Sequence, residues 1–100
     1  MKSIKLSDLR DMEQNGTSFK LYDLREDYEY SDYNIGASRL LMSEVMDRYE
    51  EIPRDIPVIF HCESGNRSRA VVESLERLHQ FSNLYSLEGG IQAIRETEQS

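Results

Sequence analysis

PVIFHCESGNRSRAVV, residues 57–72, passes from an apolar β-rich run through a turn into a helical pattern. Val58, Ile59 and Phe60 put apolar side chains on both faces, as expected of a strand buried inside a parallel sheet. Beyond the turn, Val71, Leu75 and Leu78 recur at i, i+4 and i+7 with Val72 beside them, which predicts the inner stripe of a helix over about 66–80. Glu73 and Arg77 form an i, i+4 pair on its outer side. Between strand and helix stands Cys62, the one cysteine of the chain. Open parallel sheets bind ligands at the carboxyl ends of their strands, so the cysteine falls where chemistry is expected.

Working outward, strands and helices alternate. Ile4 to Leu6 reads as a short strand, followed by a helix capped by Ser7 and ended by Asn15-Gly16. Phe19 to Asp23 alternates apolar and polar residues and predicts a strand. Glu26 to Asn34 is acidic with interleaved tyrosines and reads as a solvated loop holding at most one helical turn. Ser38 to Leu41 is a further strand. Ser43 caps an expected helix over Glu44 to Glu51, with Val45, Met46 and Tyr49 turned inward. Asn83 to Leu87 is the last strand, and Gly89-Gly90 turns the chain into a helix over Ile91 to Glu98. This β–α order predicts an α/β domain over residues 1–100, with helices on both faces of a parallel sheet.

The composition narrows the function. A net charge of −7 disfavours nucleic acid and anionic membrane as partners. One cysteine forms no internal disulfide and no multi-thiolate metal site. The first sixteen residues lack the apolar run of a secretory signal, and no stretch is long and apolar enough to span a bilayer. The expected location is the cytoplasm, where a thiol stays reduced.

The turn after Cys62 suits a nucleophilic sulfur handling an anion. Glu63, Ser64, Gly65, Asn66, Arg67 and Ser68 follow it. Successive backbone amides in such a turn converge on one point, and the following helix N-terminus adds positive potential. Both favour a thiolate. Gly65 permits the backbone angles of a tight cradle. Arg67, with Arg69 beyond it, adds permanent positive charge. Asp23 and Arg25 read as a structural ion pair supporting the site, and His61 as a strand-end residue with a hydrogen-bond partner.

These residues resemble a known family. CESGNRS at 62–68 is similar to the Cys-x-x-Gly-x-Arg active-site loop of rhodanese-type sulfurtransferases. YDLRE at 22–26 is similar to their Asp-x-Arg strand, NIGAS at 34–38 to their His-Ile-x-Gly-Ala turn, and LYSLEGGIQAI at 84–94 to their last strand and Gly-Gly helix start. The resemblance implies a three-layer α/β/α domain with a five-stranded parallel sheet. It also implies a sulfane sulfur moved from a donor such as thiosulfate, through a Cys62 persulfide, to cyanide, a thiol or a protein. No metal or organic cofactor is implied. The chain departs from the pattern in lacking the turn histidine and the tryptophan that often follows the Gly-Gly pair. Glu63 places a negative charge next to the nucleophile, which by Coulomb repulsion weakens binding of a dianion.

Two other readings stand beside this one. Phosphatase or arsenate-reductase chemistry uses the same fold, but cysteine phosphatases put five residues between Cys and Arg. Here four residues, Glu63 to Asn66, separate Cys62 from Arg67, and no second cysteine exists to resolve a reductase intermediate. The third reading is a regulatory or interaction module of low turnover, against which the intact Cys62 and Arg67 argue.

Overall fold

The structure, a computed structural model, describes residues 1–99. Five strands form one parallel sheet: β1 (Ser3–Ile4), β2 (Lys20–Asp23), β3 (Ser38–Arg39), β4 (Val58–His61) and β5 (Leu84–Leu87). Their spatial order is β1-β5-β4-β2-β3, so the most apolar strand lies at the centre. β4 is buried along its whole length, as its unbroken apolar run requires.

Helices cover both faces. Side chains alternate across a strand with period two, and the sheet sorts them accordingly. Tyr22, Val58, Phe60 and Leu84 face α3 (Asn66–His79) and pack with Val71, Val72 and Leu75. Tyr22 and Phe60 stack there with ring centroids 5.4 Å apart. Ile59 and Leu87 face the other way, against Leu9 of α1 (Leu6–Gln14) and Ile91 and Ile94 of α4 (Gly90–Gln99). The result is the expected three-layer α/β/α architecture.

Several local expectations are corrected. Ser7 is not the cap of α1. The helix begins at Leu6, and Asp8 caps it by accepting the Lys5 amide at 3.2 Å. The expected helix over 44–51 is replaced by two 3-10 turns, Met42–Glu44 and Tyr49–Glu51. Val45 is buried there and Tyr49 packs against the same core, but Met46 is exposed, and the segment is too short to hold α-helix unaided. Leu78 is 54% exposed, because α3 ends at His79 and Gln80 turns into a left-handed conformation. His79, the last residue of α3, stacks on Tyr49. The acidic stretch is also more than a loop: Asp27–Asp32 forms a helix, α2. None of the helices described is long and apolar enough to cross a membrane.

Candidate active site

Cys62 leaves the carboxyl end of β4 and is 1% exposed. Its Sγ accepts the Gly65 amide at 3.1 Å and the Ser68 amide at 3.4 Å. The Ser68 amide belongs to the first turn of α3, whose leading N–H groups have no partner within the helix. The sulfur thus occupies the place of a capping acceptor, at the positive end of the helix. Gly65 turns the loop with φ +105°, a conformation open to glycine and strained for other residues. Among residues 63–67, Gly65 alone donates to Sγ, so the cradle is narrower than the sequence suggests and reaches on to Ser68.

Ser68 extends the contact inward. Its Oγ lies 3.7 Å from Sγ, donates to the Gly65 carbonyl at 3.1 Å and stands 2.6 Å from Ser86 Oγ. Both hydroxyls are buried. Ser86 comes from β5, whose Leu84 and Ser86 point toward α3, and the sequence reading passed over it. The one signal was a polar residue at an inward position of an apolar strand. Ser64 and Asn66 are exposed on the rim of the loop.

The loop is clamped from behind by α4. The Ile91 amide donates to the Cys62 carbonyl at 2.9 Å and the Gln92 amide to the Glu63 carbonyl at 3.0 Å. That approach explains Gly90: a Cβ there would drive into the Cys62 carbonyl oxygen and meet the Glu63 carbonyl oxygen at 2.8 Å. The N-terminus of α4 therefore holds the loop's carbonyl groups while α3 presents amides to the sulfur.

Beneath the loop lies a buried ion-pair hub. Arg25 is fully buried and binds Asp23 through Nε at 3.0 Å and Nη2 at 2.9 Å. Desolvation works against both charges, and the guanidinium–carboxylate contacts outweigh it, leaving the Asp23 carboxyl below its usual range. Arg25 also donates to the Tyr33 carbonyl at 2.6 Å, the Glu29 carbonyl at 3.4 Å and Glu63 Oε1 at 3.3 Å. It thereby ties β2, α2 and the loop together. His61 sits opposite Asp23 in the β2–β4 register, with Nε2 3.7 Å from Oδ2. The expected hydrogen-bond partner is not there: neither ring nitrogen has one among the described residues. Burial, opposed by the Asp23 charge, pushes the imidazole below its ordinary pKa and keeps it neutral.

Charge around the thiol differs from the sequence expectation. Glu63 is not an uncompensated anion, since Arg25 takes one carboxylate oxygen and Arg95 the other at 3.2 Å. Arg67 is held by Glu29 of α2 through two bonds, Nη1 to Oε1 at 2.9 Å and Nη2 to Oε2 at 2.8 Å. Those bonds, opposed in part by burial, bring the Glu29 carboxyl down to about 2. Arg95 reaches on to Asp32 at 3.0 Å. Of the acidic run read from sequence as solvated, Glu29 is thus paired with Arg67 and Asp32 with Arg95, Asp27 pairs with Arg39 of β3, and Glu26, Asp27 and Asp32 remain exposed. Glu29 and Arg95 carried no sequence signal of their own. Arg69 is exposed beside the loop, lining a cavity of about 350 Å³ with Ser64, Gly65, Asn66, Ser86 and Glu88; Cys62 itself does not line it.

Known proteins are similar in sequence and, where solved, in architecture. The family model described as "Rhodanese-like domain" matches residues 5–97. A rhodanese-related protein from Thermoplasma volcanium is 31% identical and superposes with a TM-score of 0.84, covering 97% of this chain and 93% of its own. A Bacillus subtilis protein provisionally named sulfurtransferase YtwF is 29% identical, over 93% of this chain and 89% of its own. The uncharacterised Bacillus subtilis protein YqhL is 33% identical over 72 residues, which are 71% of this chain and 56% of that protein's length.

Proposed function

Since the chain belongs to the rhodanese-like domain family, we propose that it is a sulfurtransferase carrying sulfane sulfur as a persulfide on Cys62. The observation that carries this reading is the pair of backbone amides, from Gly65 and Ser68, aimed at a sulfur on the carboxyl end of the central strand. The provisional name of the relative YtwF points the same way.

The proposed transfer has two steps. The Cys62 thiolate attacks the outer sulfur of a donor. The donor's S–S bond breaks, and its electron pair leaves with the rest of the donor, as sulfite from thiosulfate or as a thiolate from an organic persulfide. The new terminal sulfur carries negative charge, which the loop amides and the positive end of α3 stabilise. An acceptor, such as cyanide, a small thiol or a protein thiol, then attacks that terminal sulfur, and Cys62 departs as the thiolate. Four residues between Cys62 and Arg67 make a loop sized for a sulfur atom, and the phosphatase reading loses ground for that reason. The low-turnover module keeps no observation of its own.

Intact mass spectrometry tests the proposal. Incubation with a sulfane donor should add one sulfur atom to the protein, and cyanide should remove it. Cys62→Ser should gain nothing. Failure to gain sulfur from thiosulfate, hydropersulfides and polysulfides alike would overturn the reading.

A further inference from the structure

The arginine expected to meet an anionic donor is already engaged. Glu29 takes both terminal nitrogens of Arg67 at 2.8 and 2.9 Å. The carboxylate is not a casual partner. Oε1 also accepts the Glu26 amide at 3.0 Å, which makes Glu29 the capping residue of its own helix. The Glu29 carbonyl is held by Arg25, and the Tyr33 carbonyl just past α2 is held by the same guanidinium at 2.6 Å. Glu29 is therefore fixed through its side chain, its carbonyl and its helix, and its side chain is only 15% exposed. Releasing Arg67 to a substrate means breaking a preorganised bidentate pair.

The neighbouring charges follow the same rule. Arg25 is shared between Asp23 and Glu63, and Arg95 between Glu63 and Asp32. The carboxylates of Asp23, Glu29, Asp32 and Glu63 thus engage the guanidiniums of Arg25, Arg67 and Arg95, and none of these three is left free to meet a dianion. What the thiol does receive is two neutral amide donors, matched to a single sulfur.

We infer that Glu29 is a specificity-determining residue that masks Arg67, and that the donor taken by this site is an organic hydropersulfide reacting in its uncharged form, not a dianion such as thiosulfate. This deepens the sulfur-transfer reading and rests on it for the donor class. In the step implied, the Cys62 thiolate attacks the terminal sulfur of R–S–SH and the S–S bond breaks. The thiolate R–S⁻ leaves with the electron pair, and the protonated terminal sulfur stays on Cys62 as the persulfide.

The test separates the two layers. Alkylation of Cys62 by neutral iodoacetamide and anionic iodoacetate needs no sulfur transfer. In the native protein, the iodoacetate rate relative to iodoacetamide should be low and should rise with ionic strength as the negative field is screened. In Glu29→Gln that ratio should rise about tenfold at low salt, and thiosulfate loading should rise by a similar factor. The hydropersulfide of an uncharged thiol should load the native protein faster than thiosulfate does, with no gain in the variant. In the double variant Glu29→Gln/Arg67→Gln the gain should vanish, since it comes from the unmasked guanidinium. An equal change for both alkylating reagents, or a native ratio that falls with salt, would overturn the masking role. Thiosulfate loading the native protein as fast as the hydropersulfide would overturn the donor class. If no donor loads sulfur, the transfer reading fails while the alkylation ratios still decide the role of Glu29.

Discussion

Ser68 and Ser86 are joined by a hydrogen bond between hydroxyl oxygens 2.6 Å apart, both buried, one contact away from the Cys62 sulfur. With the thiol protonated, Ser68 accepts from sulfur and donates to the Gly65 carbonyl. With the thiolate, Ser68 can turn its proton to sulfur while Ser86 donates to Ser68. Ser86 is thus a positioning residue that acts through Ser68. Ser86→Ala should slow iodoacetamide alkylation several-fold at neutral pH and leave the limiting rate at high pH unchanged. The lost hydrogen bond should cost about 1–2 kcal/mol of stability by urea titration. An unchanged neutral-pH rate would show that the serine pair serves packing alone.

Gly90→Ala should be severe despite its distance in sequence from the cysteine. The residue holds φ +52°, and an added Cβ would collide with the carbonyls of Cys62 and Glu63. Backbone strain and displacement of α4 together predict a loss of about 3 kcal/mol or more. Differential scanning calorimetry should show a melting temperature lower by roughly 10 °C or more. A normal melting temperature would mean that α4 does not press on the loop.

Burial holds His61 neutral below its ordinary pKa of 6.5. The unfolded chain therefore binds a proton that the folded chain refuses. The stability this contributes is complete above pH 6.5 and is lost as pH falls below that value toward the folded pKa. The loss should run at no more than about 1.4 kcal/mol per pH unit. Chemical denaturation between pH 7 and 5 should show this slope in the native chain and lose it in His61→Leu. An identical slope in both would assign the acid sensitivity to other groups.

Glu63→Lys should weaken the fold, in place of the improved thiosulfate binding that Coulomb repulsion alone would suggest. The substitution leaves Arg25 and Arg95 without their shared carboxylate and adds a third cation beside them. A cost of about 1–3 kcal/mol is expected, moderated because Glu63 is a quarter exposed. Unaltered stability together with tighter thiosulfate binding would restore the earlier expectation.

Much of this was legible in the sequence because period and chemistry coincided there. The apolar run at 58–60 placed the central strand, and Cys62, Gly65 and Arg67 stood directly after it. Local patterns carry that kind of information well. The pairing of Arg67 with Glu29 lies 38 residues apart and leaves no local trace. The same holds for Ser68 with Ser86 and for Glu63 with Arg95. Charge signs can be read from a sequence; which charges neutralise each other depends on the tertiary fold. The acidic stretch at 26–33 shows the consequence, since Glu29 there reads as one solvated carboxylate among several until Arg67 is in place.

The grip of α4 on the carbonyls of Cys62 and Glu63 also orders events in time. The cradle is closed by residues 91 and 92, which leave the ribosome long after the cysteine does. Without α4 in place, the carbonyls of Cys62 and Glu63 lose the amides that hold them. The loop that holds the sulfur is thus closed by a helix distant from it in sequence, and its shape depends on the docking of α4.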